Sequence, residues 1–91
     1  KIFIPNAFTP NGINPVFLPI VSHIKPETYH LTIINRWGQL VFESFDQNTG
    51  WDGTIPTNGK NAKNDVYVYI FEAEDDEGNF IQKKGFVSLI E

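Results

Sequence analysis

Ninety-one residues with 41% hydrophobic and 14% aromatic side chains leave room for one small core and exclude a catalytic domain with a separate substrate domain. Seven Lys plus Arg against eleven Asp plus Glu give a net charge of −4, with Lys83 and Lys84 the only adjacent basic pair, which argues against nucleic acid as a partner. The absence of Cys removes disulfides, thiolate metal sites and cysteine nucleophiles, and no run approaches the roughly 20 apolar residues of a membrane-spanning helix, so membrane insertion is not expected.

Lys1 to Pro5 is too short for a signal peptide, and a start at Lys1 suggests a fragment of a longer protein. Ile2 to Ile4 and Val16 to Ile20 read as short strands, the second held to a sheet edge by Pro15 and Pro19, which offer no ladder donor. Tyr29 to Asn35 alternates, with Tyr29, Leu31 and Ile33 on one face, and Leu40 to Phe45 continues in that style. The turn Asn35-Arg36-Trp37-Gly38 joins them into a hairpin if Gly38 takes a positive φ. Asp46 to Asn64 is a polar loop interrupted by Trp51-Asp52-Gly53-Thr54. Val66 to Phe71 reads as a central strand buried on both faces, alternating onward through Glu72, Ala73 and Glu74; Asp76-Glu77-Gly78-Asn79 turns the chain into Phe80 to Ile90. Scarce Ala and scattered Gly and Pro disfavour helix. The expectation is an all-β domain over residues 1–91, built as a sandwich.

Chemistry-bearing side chains are few. His23 and His30 sit in no motif and read as exposed or edge-strand residues. Glu43, Asp46, Asp52, Asp65, Asp75, Asp76 and Glu77 lie among Asn and Gly, so hard-cation binding is conceivable, yet the spacing matches no EF-hand and fits turn-capping on a solvated acidic face. No carboxylate pair marks a glycosidase, and no enzyme, catalytic residue, metal ligand or cofactor is expected. Trp37 and Trp51 can stack on sugars with Arg36 or Asp52 bonding hydroxyls, or pack as core; Trp51 fits better as a plug at one end of the sandwich.

Five ordered blocks carry a family likeness: Ile4 to Gly12 (Ile-Pro-Asn-Ala-Phe-Thr-Pro-Asn-Gly), Leu31 to Phe42 around Asn35-Arg36-Trp37-Gly38, Trp51-Asp52-Gly53-Thr54, Asp65 to Ile70, and Gly85 to Ile90. Together they span nearly the whole chain, which resembles the gliding-motility-associated C-terminal domain, the type B sorting domain of type IX secretion in Bacteroidetes. Relatives commonly continue the first block with Asn-Gly-Asp-Gly and Asn-Asp. Here Asn11-Gly12 passes directly to Ile13-Asn14-Pro15, two residues shorter and without either Asp, and Glu91 stands where a basic ending is usual.

The resemblance implies an immunoglobulin-like β-sandwich of about seven short, mainly antiparallel strands, acting as a non-enzymatic secretion signal. It implies that N-terminal cargo domains of the same chain are carried through the periplasm and that the outer-membrane type IX machinery reads the domain, delivering the cargo to the cell surface or medium. Candidate recognition residues are Pro5, Asn6, Phe8, Thr9, Pro10, Asn11 and Gly12 in the first loop, Arg36, Trp37 and Gly38 at the turn, and Val87, Leu89 and Ile90 in the last strand; Trp51, Asp52 and Gly53 form a structural motif. If the last strand lies at a sheet edge, it can add to a partner's sheet. The competing reading is a carbohydrate- or cation-binding adhesive module of a cell-surface protein.

Overall fold

Alternating apolar and polar residues build the longest elements. In the computed structural model, which describes residues 1–13, 15–55 and 62–90, β6 (Asp65–Glu74) and β7 (Phe80–Leu89) run antiparallel for ten residues each, from Asp65 opposite Leu89 to Glu74 opposite Phe80. Gly78 at φ +86° turns the chain between them, a conformation that a Cβ would resist. β4 (His30–Ile34) pairs with the other side of β6 and with β5 (Leu40–Ser44), across a register shift after Ile33. β2 (Ala7–Phe8) adds in parallel to the end of β7, opposite Ser88 and Leu89, giving the sheet order β2-β7-β6-β4-β5.

The second layer is slight. β1 (Ile2–Phe3) pairs antiparallel with β3 (Ile20–Val21), Phe17 makes a single bridge to Trp51, and one 3-10 turn at Pro26–Thr28 leads into β4. The shortest dimension of the molecule is 20 Å, enough for two layers spaced by about 10 Å with their outer side chains. Among the described residues no α-helix forms and seven strands do, so the all-β sandwich expected from the sequence is present, antiparallel except where β2 meets β7.

Two expectations need correction. Val16 to Ile20 is not a continuous strand: Phe17 makes one bridge to Trp51 and a two-residue strand begins only at Ile20, because Pro15 and Pro19 supply no N–H, and the Phe17 ring inserts into the core. Val66 to Phe71 is central but not buried on both faces. Tyr67 and Phe71 point inward and are buried, whereas Val66 on the opposite face is 46% exposed, because the second layer covers only one side of the sheet. The polar loop expected from Asp46 to Asn64 is irregular wherever it is described; residues 56–61, like Asn14 and Glu91, lie outside the described residues.

The core fills the covered side. Phe8, Phe17, Trp51 and Tyr67 interlock, with Phe8 and Trp51 centroids 5.2 Å apart and Trp51 edge-on to Tyr67 at 5.0 Å. Leu31, Ile33, Phe71, Val87 and Leu89 extend that core along the sheet, and Tyr29 meets Phe71 edge-on at 5.5 Å.

Candidate recognition surface

The β4–β5 turn is built by its own polar groups. Asn35 Oδ1 accepts the backbone N–H of Trp37 and of Gln39, both at 2.9 Å, and the Gly38 N–H reaches the Asn35 carbonyl at 3.0 Å. Gly38 sits at φ +81°, as the tight turn demands. This leaves Trp37 77% exposed at the tip. Arg36 turns back to β6, where its Nη2 donates to Asp65 Oδ1 at 2.8 Å. The Val66 N–H and then the Arg36 guanidinium hold the Asp65 carboxyl below its ordinary value. The turn borders a shallow depression of about 350 Å³ lined by Arg36, Trp37, Val41, Ile55, Asp65 and Tyr67.

The first loop reaches the same end of the sheet from the other side. Ser88 N–H donates to the Asn6 carbonyl and Ile90 N–H to the Phe8 carbonyl, at 2.9 and 3.0 Å, so the loop is stitched to the end of β7. Gly12 closes a turn onto the Thr9 carbonyl at 2.8 Å. Gly53, buried at φ +91°, lets Pro10 pack close, since a Cβ there would lie 2.9 Å from Pro10 Cγ and 3.5 Å from Leu89 Cδ1. The three predicted segments therefore meet one end of the sandwich, where β6 begins and β7 finishes. They do not form one patch: four strand spacings of about 4.8 Å put roughly 15 to 20 Å between the first loop and the turn.

Burial divides the candidates. Phe8, Val87 and Leu89 have their side chains in the core, as do Trp51 and Gly53. Asn6, Asn11, Gly12, Arg36, Trp37, Gly38 and Ile90 are exposed, while Pro5, Thr9 and Pro10 are half-buried. Trp51 plugs the core, its Nε1 donating to the Thr54 carbonyl at 2.8 Å, and Asp52 accepts the Thr54 N–H and Oγ1–H. Those bonds, the Thr54 hydroxyl's first, lower the Asp52 carboxyl.

The acidic residues cap turns. Asp46 accepts from the Asn48 N–H and the Thr49 hydroxyl; Asp75 accepts from the backbone N–H groups of Glu77 and Asn79 and from Asn79 Nδ2. Both carboxyls are held below their ordinary value, chiefly by the backbone bonds from Asn48 and Asn79 respectively. Among the described residues no three His, Asp or Glu side chains converge as a metal site. His23, exposed at φ +62°, lies 3.6 Å from Asp76.

Reading residues singly missed a cross-strand cluster. His30 lies between Glu43, at 2.6 Å, and Glu72, at 3.4 Å, with its ring stacked on Phe45. The alternation of β4, β5 and β6 supplied the signal, but only the register unites residues 30, 43 and 72 on the outer face.

The family model for the CHU_C type IX secretion signal domain matches residues 2–89. Among solved structures the chain is similar to the crystal structure of CopC from Methylosinus trichosporium OB3b, with a TM-score of 0.57 and 13% identity over 98% of this chain and 88% of that one, a likeness of fold. No curated protein matches the sequence.

Proposed function

The chain belongs to the type IX secretion signal domain family, and from that premise we propose that it directs N-terminal cargo of its own chain through the periplasm to the outer-membrane machinery, for display on the cell surface or release. Its role is that of a sorting signal, and the family is not enzymatic. The observation that carries the reading is the family match from residue 2 to residue 89, which embraces every strand among the described residues.

The geometry supports a particular surface for it. Asn6, Asn11 and Gly12 on one side of the end, and Arg36 and Trp37 on the other, stand on segments held by hydrogen bonds within the domain, from Ser88 and Ile90 to the first loop, from Gly12 to Thr9 and from Arg36 to Asp65. An address read on varied cargoes needs such self-contained presentation. A sugar-binding reading loses one of its two stacking platforms, because Trp51 is sealed in the core.

The test is a fusion of residues 1–91 to a periplasmic reporter, followed in a type IX-competent host with and without the secretion machinery. Export that depends on the machinery is expected; a wild-type reporter that stays periplasmic overturns the reading. Replacing exposed Trp37 by Ala should leave thermal unfolding within a few degrees of wild type, as surface changes of about 0.5 kcal/mol do, while lowering export several-fold.

A further inference from the structure

Hydrogen-bond direction along β7 reveals an open edge. Ser88 and Ile90 send their N–H groups to β2, away from β6. Backbone groups alternate sides along a strand, so the N–H and C=O of Gln82, Lys84 and Phe86 point the same way. Among the described residues no strand meets them there, because β2 pairs only with Ser88 and Leu89. The stretch from Phe80 to Phe86 is about 20 Å long at about 3.3 Å per residue, a full strand's length of unpaired ladder.

Its charge is distinctive. Phe80–Leu89 carries Lys83 and Lys84 and no acidic side chain, in a chain whose net charge is −4. On β6 their partners are Phe71 and Ile70, and among the described residues neither lysine has an ion pair. A second copy pairing antiparallel over the open stretch would centre near residue 83 and bring lysine against lysine, which is repulsive. The same lysines deter neutral strands and favour one bearing carboxylates. Exposed Phe80 and Phe86 share the outer face with Gln82 and Lys84 and offer apolar contacts at the two ends of the open stretch.

Resting on the sorting reading, we propose that the open edge of β7 between Phe80 and Phe86 is a strand-addition site for an extended acidic segment of a partner protein. The incoming strand pairs with the main chain of Gln82, Lys84 and Phe86, places carboxylates beside Lys83 and Lys84, and sets apolar side chains beside Phe80 and Phe86.

Two measurements test it. A seven-residue peptide with valine at both ends and two adjacent central glutamates facing Lys83 and Lys84, which point to opposite faces of β7, and its counterpart with two central lysines, are added to the 91-residue protein while amide hydrogen exchange is followed. The acidic peptide should slow exchange at Gln82, Lys84 and Phe86 at least tenfold and the basic one should not, with the preference reversed in Lys83→Glu/Lys84→Glu. Protection by neither peptide, equal protection by both, or concentration-dependent self-association through this edge overturns the proposal. In the reporter fusion, Lys84→Pro removes an open-edge donor without touching the ladder to β6 and should cut export at least tenfold with unfolding close to wild type. The charge-reversed pair carries the same expectation should the proline variant fold poorly. Normal export of both folded variants, with the wild type exported, overturns the edge site and leaves the sorting reading standing. A wild type retained in the periplasm overturns the sorting reading and the partner assigned here, while the peptide measurement still reports on the edge itself.

Discussion

The β6–β7 hairpin and the first 28 residues are two ways of holding a chain in the same sandwich. The hairpin pairs ten residues with ten through a continuous ladder. Among its described residues the N-terminal stretch has only two-residue strands, single bridges and one 3-10 turn, and it is held by what it inserts: Phe8 and Phe17 reach into the core around Trp51. Main-chain pairing is local, cooperative and tolerant of individual side chains. Anchoring by a few rings concentrates stability in those rings, so the second layer should fail when one of them is removed.

The largest expected effect follows. Trp51 is fully buried, contacts Phe8 and Tyr67, and bridges Phe17 through paired backbone bonds of 2.8 and 2.9 Å. Trp51→Ala should cost about 3–5 kcal/mol, as large aromatic truncations in cores do, against a total of about 5–15 kcal/mol for a domain. At about 4–8 °C per kcal/mol, the melting temperature should fall by well over 10 °C. Hydrogen exchange should show amide protection lost first at Phe17 and Ser22, whose N–H groups bond the Trp51 and Lys1 carbonyls, with the β6–β7 amides persisting. Simultaneous loss in both regions would show that the two modes of attachment are not separable.

The same contrast explains what the sequence disclosed. The strands of both hairpins were legible because the sheet is covered on one side only, so Leu31, Ile33, Tyr67, Phe71 and Ala73 recur at every second position. The turns at Gly38 and Gly78 were legible because only a positive φ closes them. Val16 to Ile20 misled because apolar residues that anchor a loop look like a strand when no partner is in view. For the recognition candidates, the motifs marked three segments that only the strand order brings to one end of the fold, and nothing in a linear string separates buried Phe8, Val87 and Leu89 from exposed Asn6, Trp37 and Ile90. The open edge of β7 and the His30 cluster depend on register and strand order, which are tertiary facts.

A smaller effect separates the hairpin by pH. The Asp75 carboxylate organises the β6–β7 turn through Glu77 and Asn79, and those bonds lower its folded value. A depressed carboxyl contributes stability above its unfolded value of about 4 and loses it as pH falls through the lower folded value, since the unfolded chain binds the proton first. Asp46, Asp52 and Asp65 shift the same way, so thermal stability should fall on acidification below about pH 4. Asp75→Asn should lower the melting temperature by a few degrees at pH 7 and flatten the acid limb. An acid limb identical to wild type would remove the carboxylate from the account of the hairpin.

The smallest effect lies where the two regions join. Tyr29 ends the N-terminal stretch, sits 1% exposed against Phe71, and its hydroxyl has no hydrogen-bond partner among the described residues. Burial, and then the Asp46 carboxylate, push its pKa to about 12. A raised value means that the neutral phenol is favoured in the fold; that stability is complete below the unfolded value of about 10 and is lost as pH rises toward 12. Tyr29→Phe keeps the ring contact and deletes an unsatisfied buried oxygen, so at pH 7 it should be neutral or stabilising by up to about 1 kcal/mol, opposite in sign to most core changes. Above pH 10 the variant should unfold less readily than wild type, with Tyr67, also raised by burial, accounting for the alkaline sensitivity that remains. A melting temperature several degrees below wild type at pH 7 would reveal a partner for the hydroxyl and make this junction a polar anchor instead of an apolar one.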